Sequence, residues 1–162
     1  MTTSDTGRAQ VSIDINAAPE AVYDLVADLP GMGRWSPEAT GGRWLDGLTE
    51  AQVGARFRGW NKRGPLRYYT TCRITAADRG RLLEWENDAA GLSVARWRYE
   101  FQPNGSGGTT VTESTDDRRG RLMRTLSPVV MGIKDRRGHN LRNMQVTLER
   151  LKAAAERQSS SS

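Results

Sequence analysis

The apolar residues of this chain follow a period of two over most of its length, and this period constrains the fold more than any other feature. From about residue 41 to residue 118, apolar and polar side chains alternate, which indicates half-buried β-strands. The breaks between them are short and rich in Gly, Pro, Asn and Asp, so we predict an antiparallel meander without intervening helices. The candidate strands are Gly42–Asp46, Ala55–Lys62, Arg67–Ala76, Arg81–Asp88, Val94–Gln102 and Thr109–Asp117.

A further strand and two short helices precede the meander. Residues Gln10–Asn16 alternate strictly, as a half-buried strand does. A proline at position 19, followed by Glu20, marks the start of a helix, and Pro30 with Gly31 ends it. The stretch Met32–Pro37 is predicted to form a second short helix or a turn.

The last third of the chain changes to a helical period. Apolar residues from Leu122 to Leu151 fall near one stripe at helical spacing, which predicts one long helix from about Pro128 to Arg157. We therefore expect a single domain at residues 10–157, between a disordered N-terminus at residues 1–9 and a disordered tail at residues 158–162.

Composition excludes several kinds of site. The first ten residues are polar and no run approaches the roughly 18 apolar residues of a spanning helix, so we expect a soluble, cytoplasmic protein. One cysteine, Cys72, excludes an internal disulfide, and with one histidine, His139, it excludes a Cys/His metal cluster. We expect neither a metal nor a cofactor.

The net charge of +5 admits two interpretations. Only three of the 24 basic residues are lysines and the arginines are spread along the chain, a balance typical of codon usage in a GC-rich genome. The alternative is contact with an anionic head group, a membrane surface, a partner protein or nucleic acid. Because the aromatic residues are predicted to point inward rather than to lie among the arginines, we expect no nucleic-acid partner. Because no apolar run is long enough to span a bilayer, we also expect no stable membrane insertion.

Four segments together resemble a known family. In their order and spacing they are similar to the START-like (SRPBCC) superfamily, specifically the bacterial polyketide cyclase/dehydrase and lipid-transport group, over roughly residues 10–156. The resemblance implies an α+β helix-grip fold, in which a curved antiparallel sheet of about seven strands encloses a cavity with a long C-terminal helix. The segments are INAAPEAVYDLVADLPGMGRWSPE (Ile15–Glu38), GARFRGWNKRGPLRYYTTCRITAADRGRLLEWE (Gly54–Glu86), ARWRYEFQPNGSGGTTVTES (Ala95–Ser114) and MQVTLERLKAAAE (Met144–Glu156).

The resemblance also implies which side chains form the cavity. Family members use the concave face of the sheet, the second short helix and the loops at one end as the wall and entrance. An ordinary filled core is the alternative for these aromatic residues, although five tryptophans are more than a small core needs. The side chains implied to line or support the cavity are Trp35, Phe57, Tyr68, Cys72, Trp85, Trp97 and Tyr99.

Glu113 is the candidate with the most specific chemistry. Val111, Glu113 and Thr115 share one face of the last strand, and since Val111 is its apolar member, that face is predicted to point inward. A carboxyl group in an apolar cavity has a raised pKa and serves ligand recognition or proton transfer. The alternative is a position near the mouth, where the carboxylate is solvated or paired with an arginine.

The long helix contributes two further candidates. His139 lies about 160° from the centre of the apolar stripe on an ideal helical wheel, which favours a solvated side chain, although a kink at Gly138 would turn it toward the cavity. Registration with the family gives Asn143 the better chance of reaching the pocket as a ligand-binding residue. The catalytic candidates are therefore Glu113, Tyr99 and His139, and Cys72 is expected to be an inert core thiol.

Two functions follow from these observations. The leading hypothesis is a protein, monomeric or homodimeric, that binds an apolar or aromatic small molecule (lipid, polyketide or isoprenoid-like) between the sheet and the C-terminal helix. The alternative is an aromatase/cyclase or dehydratase that acts on a polyketide-type substrate and uses Glu113 with a tyrosine or histidine.

Overall fold

Seven strands and three helices make up the described part of the chain. A computed structural model describes residues 8–89, 92–118 and 136–162. The strands are β1 (Arg8–Ile15), β2 (Ala39–Trp44), β3 (Arg56–Arg63), β4 (Leu66–Asp78), β5 (Leu82–Ala89), β6 (Leu92–Pro103) and β7 (Thr109–Asp117). The helices are α1 (Pro19–Ala27), a 3-10 helix (Leu29–Arg34) and α2 (Arg136–Ser160).

The strands form one antiparallel sheet in the order β1-β7-β6-β5-β4-β3-β2. Every pair of neighbours except β1 and β7 is also consecutive along the chain, so the meander predicted from the period of two is confirmed. Register shifts between Ile74 and Ala76 in β4, and between Asn87 and Asp88 in β5, interrupt the ladder. Irregularities of this kind bend strands, and they contribute to the curvature of the sheet.

The helices cover the concave side of the sheet. Pro19 occupies the start of α1, where its missing N–H costs no hydrogen bond, and Val22 and Val26 on its apolar face are buried. On α2, Leu148 and Leu151 are fully buried in the core. The fold is therefore the α+β helix-grip arrangement that was predicted.

Polar contacts fasten α2 to the start of the sheet. The backbone N–H of Asn16 donates a hydrogen bond to Glu156 Oε1 at 3.0 Å, and Lys152 Nζ donates to the carbonyl oxygen of Asp14 at 2.9 Å. These contacts join the C-terminal half of α2 to the end of β1. The first turns of α2 lie toward another part of the sheet.

The ends of the domain differ from the expectation. β1 begins at Arg8, within the segment 1–9 that was predicted to be disordered, and α2 continues to Ser160, within the tail 158–162. Arg8 is paired with Asp116 of β7, and residues 158–160 continue the helix, so these residues belong to regular elements. The outer boundaries of the domain stay a prediction. The predicted start of the long helix near Pro128 lies outside the described residues.

Candidate functional site

Strand register determines which side chains share the concave face, because directly paired residues of antiparallel strands lie on the same side of a sheet. Glu113 pairs with Tyr99, and Tyr99 pairs with Leu83. Two residues further along each strand, the next inward row contains Thr115, Trp97 and Trp85, and the row after it contains Asp117, Ala95, Asn87, Cys72 and Phe57.

A cavity of about 430 Å³ lies between these rows and the first turns of α2. Its volume falls in the range of sites that bind small molecules. Of the side chains implied by the family resemblance, those that line the cavity are Phe57, Tyr68, Cys72, Trp85, Trp97, Tyr99, Glu113 and Asn143. Ligand contact by these residues stays a prediction.

Aromatic rings in mutual contact form one wall of the cavity. The rings of Trp85 and Tyr99 stack with their centroids 5.7 Å apart, and Phe57 packs edge-on against Trp85 at 6.4 Å. Phe101 extends the stack beyond Tyr99 at 6.4 Å. Because each ring is held by its neighbours, the wall presents a preformed apolar surface to a ligand.

Glu113 and Tyr99 form the polar element of this wall. Their side chains are hydrogen-bonded to each other, and both residues are almost fully buried. Burial raises the pKa of Glu113 to about 8, although the hydrogen bond with Tyr99 opposes the shift, and burial raises the pKa of Tyr99 as well. At neutral pH the carboxyl group of Glu113 is therefore mainly protonated, and its Oε2 has no hydrogen-bond partner among the described residues.

A second polar cluster is centred on the carboxylate of Glu38, which also lines the cavity. Arg63 donates to both oxygens of Glu38 at 3.0 Å, and the Tyr68 hydroxyl donates to Oε2 at 3.1 Å. Asn143 Nδ2 donates to Oε1 at 3.1 Å, and His139 Nε2 contacts the same oxygen. Burial opposes ionisation, but the hydrogen bonds from Arg63 and His139 outweigh it and lower the pKa of Glu38 to about 2.

The Glu38 cluster joins three distant parts of the chain. Glu38 lies just before β2, Arg63 and Tyr68 flank the turn between β3 and β4, and His139 and Asn143 lie near the start of α2. The cluster therefore fastens the first turns of α2 to the β2–β4 end of the sheet. No motif in the sequence pointed to Glu38, because its partners come from segments that are far apart along the chain.

Two sequence-predicted residues are absent from the lining of the cavity. Trp35 is buried in the core beneath the Arg34 guanidinium, 4.3 Å from its ring, and it is absent from the lining of the cavity. His139 is not solvated: its side chain is 25% exposed and contacts Glu38, because the fold brings the segment before β2 over that face of α2. The structure thus pairs Glu113 with Tyr99, and it places His139 in the other polar cluster.

Several lining residues were missed. Thr115 and Asp117 line the cavity and lie on the same face of β7 as Val111 and Glu113, so this shared parity was a usable signal for both. Met144 and Thr147 on α2 also line the cavity. Met144 belongs to the apolar stripe, but the sequence does not show where along that stripe the helix leaves the packed core and meets the cavity.

Cys72 has the environment expected of an inert thiol. Burial raises its pKa to about 12, and its Sγ donates a hydrogen bond to Asn87 Oδ1 at 3.1 Å. A thiol of that pKa is almost entirely protonated at neutral pH and is a poor nucleophile.

Other kinds of site find no support in the described ranges. Within residues 8–89, 92–118 and 136–162, no three His, Cys, Asp or Glu side chains are grouped so that they could hold a metal ion. None of the helices described for this chain is both long and apolar enough to cross a membrane.

Comparison with known proteins gives a family match and similar folds. The family model described as polyketide cyclase / dehydrase and lipid transport matches residues 6–156. Protein CV1439 from Chromobacterium violaceum is similar in structure, with a TM-score of 0.69 and 15% sequence identity over 93% of this chain and 98% of that one. The polyketide_cyc-like protein Cgl2372 from Corynebacterium glutamicum has a TM-score of 0.63 and 26% identity over 90% and 88% of the two chains.

A two-domain protein is also similar. The di-domain ARO/CYC StfQ from the steffimycin biosynthetic pathway has a TM-score of 0.64 and 15% identity, and the match covers 93% of this chain and 45% of StfQ. At that identity the likeness concerns the fold alone. Among curated protein sequences, none matches this chain.

Proposed function

This chain belongs to the polyketide cyclase/dehydrase and lipid transport family, and from that premise we propose that its cavity binds an apolar or aromatic small molecule that carries an oxygen-bearing group. The observation that carries the proposal is the free Oε2 of Glu113 in an otherwise aromatic wall. An uncharged carboxyl group can donate to a carbonyl oxygen or accept from a hydroxyl group without the cost of burying a charge.

The aromatic side chains of the wall favour an aromatic ligand. The stacked rings of Trp85 and Tyr99 are nearly parallel, with an angle of 15° between their planes. A planar ring system, of the kind found in aromatic polyketides, gains dispersion contacts against the aromatic side chains that line the cavity. The lipid and isoprenoid classes fit the same apolar volume with less contact to the rings.

Matched probes test the role of Glu113. 2-Acetylnaphthalene and 2-ethylnaphthalene differ mainly in one carbonyl oxygen, and each is titrated into the protein with tryptophan fluorescence as the readout. We expect Glu113→Leu to weaken binding of the ketone by about tenfold, because a hydrogen bond in a dry site is lost, and to leave the hydrocarbon unaffected. Glu113→Gln, which keeps a donor, should retain most of the affinity for the ketone.

The binding proposal fails if neither probe binds and native mass spectrometry of the purified protein finds no retained molecule. The role proposed for Glu113 fails if Glu113→Leu weakens binding of the ketone and of the hydrocarbon equally. Glu50→Leu, at an exposed position, is the control for a general effect of removing a carboxylate.

A second candidate is an aromatase/cyclase or dehydratase, and the pKa of Glu113 near 8 favours it, since proton transfer is most effective when the pKa lies close to the working pH. In the dehydration of a β-hydroxy ketone, the Glu113 carboxyl would protonate the departing hydroxyl group. The resulting carboxylate would then take the α-proton, so that one water leaves and the acid is regenerated. Tyr99 would hold the carboxyl in position.

The enzyme candidate predicts that Glu113→Gln abolishes turnover of a poly-β-ketone while the substrate still binds. An unchanged product distribution in this variant would exclude it. Substitution of His139 is the matched comparison, since His139 is held by Glu38 and not by Glu113, and His139→Gln should spare the chemical step.

A further inference from the structure

The β3–β4 hairpin exposes large apolar side chains on its outer face and beside its turn. Four large apolar side chains are exposed in the described part of the chain, and three of them lie on this hairpin. Trp60 and Tyr69 are directly paired across the two strands and are 40% and 60% exposed, and Leu66 beside the turn is 38% exposed. Their clustering on one hairpin is therefore a feature of this surface.

Basic side chains alternate with these aromatics. On β3, Arg58 and Lys62 stand on either side of Trp60 on the outer face, and on β4, Arg67 is paired with Lys62. The Arg58 guanidinium lies 4.8 Å from the centre of the Tyr69 ring. We define the hairpin patch as five residues of the outer face, Arg58, Trp60, Lys62, Arg67 and Tyr69, together with Leu66 beside the turn, which is paired with Arg63 on the opposite face.

The cations of the hairpin patch are uncompensated within the described residues. None of Arg58, Lys62 and Arg67 lies within 4.0 Å of a carboxylate of that part of the chain, whereas Arg56 on the same strand is paired with Asp46. Arg58 Nε is buried and makes no hydrogen bond there. The patch thus combines free positive charge with exposed apolar surface.

We propose that the hairpin patch docks this protein on the surface of an anionic lipid bilayer. Tryptophan and tyrosine suit the boundary between head groups and acyl chains, and arginine and lysine are attracted to anionic head groups. The net charge of +5 adds to the attraction. A single-stranded nucleic acid would use the rings for base stacking, but Leu66 at the turn offers nothing to a base and fits the apolar layer of a membrane.

The hairpin patch lies on the same hairpin as two residues of the cavity, which relates the proposed docking to ligand binding. Arg63 and Tyr68 belong to the same hairpin, face the cavity and form part of the Glu38 cluster. Docking would therefore place this end of the cavity beside the membrane, so that an apolar ligand could pass between bilayer and cavity with little exposure to water. The docking itself does not require the proposed ligand. The exposure of Trp60 and Tyr69 corrects the expectation that the aromatic residues point inward.

Vesicle co-sedimentation tests the proposal with the full chain. We expect the protein to sediment with phosphatidylcholine vesicles that contain phosphatidylglycerol, to release at high salt, and not to bind pure phosphatidylcholine vesicles. Lys62→Glu with Arg67→Glu should lower the partition coefficient by at least about tenfold. Trp60→Ser with Tyr69→Ser should lower it as well, although this variant keeps the net charge.

Matched controls separate the patch from net charge. Arg81→Glu with Arg157→Glu changes the total charge by the same amount at exposed positions outside the patch, and it should leave most of the vesicle binding intact. Equal losses in both charge variants, or no binding to anionic vesicles, would overturn the proposal. Binding to a single-stranded oligonucleotide that depends on the same residues, without vesicle binding, would overturn it in favour of a nucleic-acid surface. Circular dichroism checks that every variant is folded.

Discussion

Tyr99 on β6 and Glu113 on β7 face each other at directly paired positions, and the hydroxyl of one is hydrogen-bonded to the carboxyl of the other inside the cavity. The pair is almost fully shielded from water, so the carboxyl keeps its proton to about pH 8. A group that is neutral in the folded chain and charged in the unfolded chain makes stability depend on pH, and this dependence can be measured.

The first prediction concerns that pH dependence. The pKa of Glu113 rises from its ordinary 4.5 to about 8 on folding, so above pH 4.5 the unfolded chain loses a proton that the folded chain retains. The contribution of Glu113 to the free energy of unfolding is therefore fully present below about pH 4.5, and it is lost as the pH rises toward 8. Glu113→Gln removes this loss, so we expect the variant to gain a few kcal/mol on the wild type between pH 5 and pH 8.

Urea denaturation at a series of pH values measures this difference. Glu50→Gln, at an exposed position, should show no comparable trend. A constant difference between Glu113→Gln and the wild type across this range would contradict the assignment of a neutral buried carboxyl.

The second prediction concerns the hydroxyl of Tyr99. Because its hydrogen bond lowers the pKa of Glu113 against the effect of burial, Tyr99→Phe should raise that pKa further. We also expect a loss of stability of about 1 kcal/mol, since a buried acceptor loses its partner. Carbon-13 NMR of glutamate-labelled protein follows the carboxyl titration directly, and Tyr69→Phe, with an exposed ring, should leave the titration unchanged.

The third prediction concerns the Glu38 cluster. The pKa of Glu38 falls from 4.5 to about 2 on folding, so its contribution is present above pH 4.5 and is lost as the pH falls toward 2. Glu38→Gln leaves the Arg63 charge without its partner, and we expect a loss of about 2 kcal/mol at pH 7 that shrinks at acidic pH. Acid-unfolding curves of the two proteins should therefore converge.

Asp46→Asn is the matched control for Glu38→Gln. It breaks an ion pair with Arg56 on the same strand that carries Arg63, but this pair is exposed to solvent. Screening by water leaves exposed pairs with little effect on stability. An equal loss in both variants would show that the Glu38 cluster is no more than a surface contact.

The fourth prediction concerns Cys72. With its pKa raised to about 12 by burial, the thiol should react very slowly with dithiobis-nitrobenzoate in the native protein at pH 8, and rapidly once guanidinium unfolds the chain. One thiol per chain should then be titrated. Rapid stoichiometric reaction under native conditions would mean that the inner side of β4 is accessible to solvent.

The sequence allowed a good deal of the fold to be predicted, because a half-buried strand imposes a period of two on its residues. The bounds of β7 were predicted at the residues that the structure shows, and the other strands differ by a few residues. Val111 and Glu113 share one face of β7, and the apolar character of Val111 indicated that this face points inward. Both residues are buried in the structure. In this part of the chain, local pattern and tertiary structure agree.

The same kind of reasoning failed for His139. A helical wheel shows which face of α2 is apolar, and His139 does lie off that face. It does not show that the segment before β2, 101 residues away along the chain, covers the polar side of the helix with Glu38. The local sequence did not decide the position of Trp35 either, since an aromatic residue in a loop can pack into the core or line a cavity with the same local sequence.

The sequence by itself determined the order of the elements, the inward parity of the strands and the apolar stripe of α2, because burial of a sheet face or a helix face repeats along the chain with a fixed period. The tertiary structure alone decided the pairing of Tyr99 with Glu113, the gathering of Glu38, Arg63 and His139, and the exposure of Trp60 beside Tyr69. These depend on register, curvature and chain crossings. Contacts between residues that are distant in the chain leave no periodic trace, so only the folded geometry reveals them.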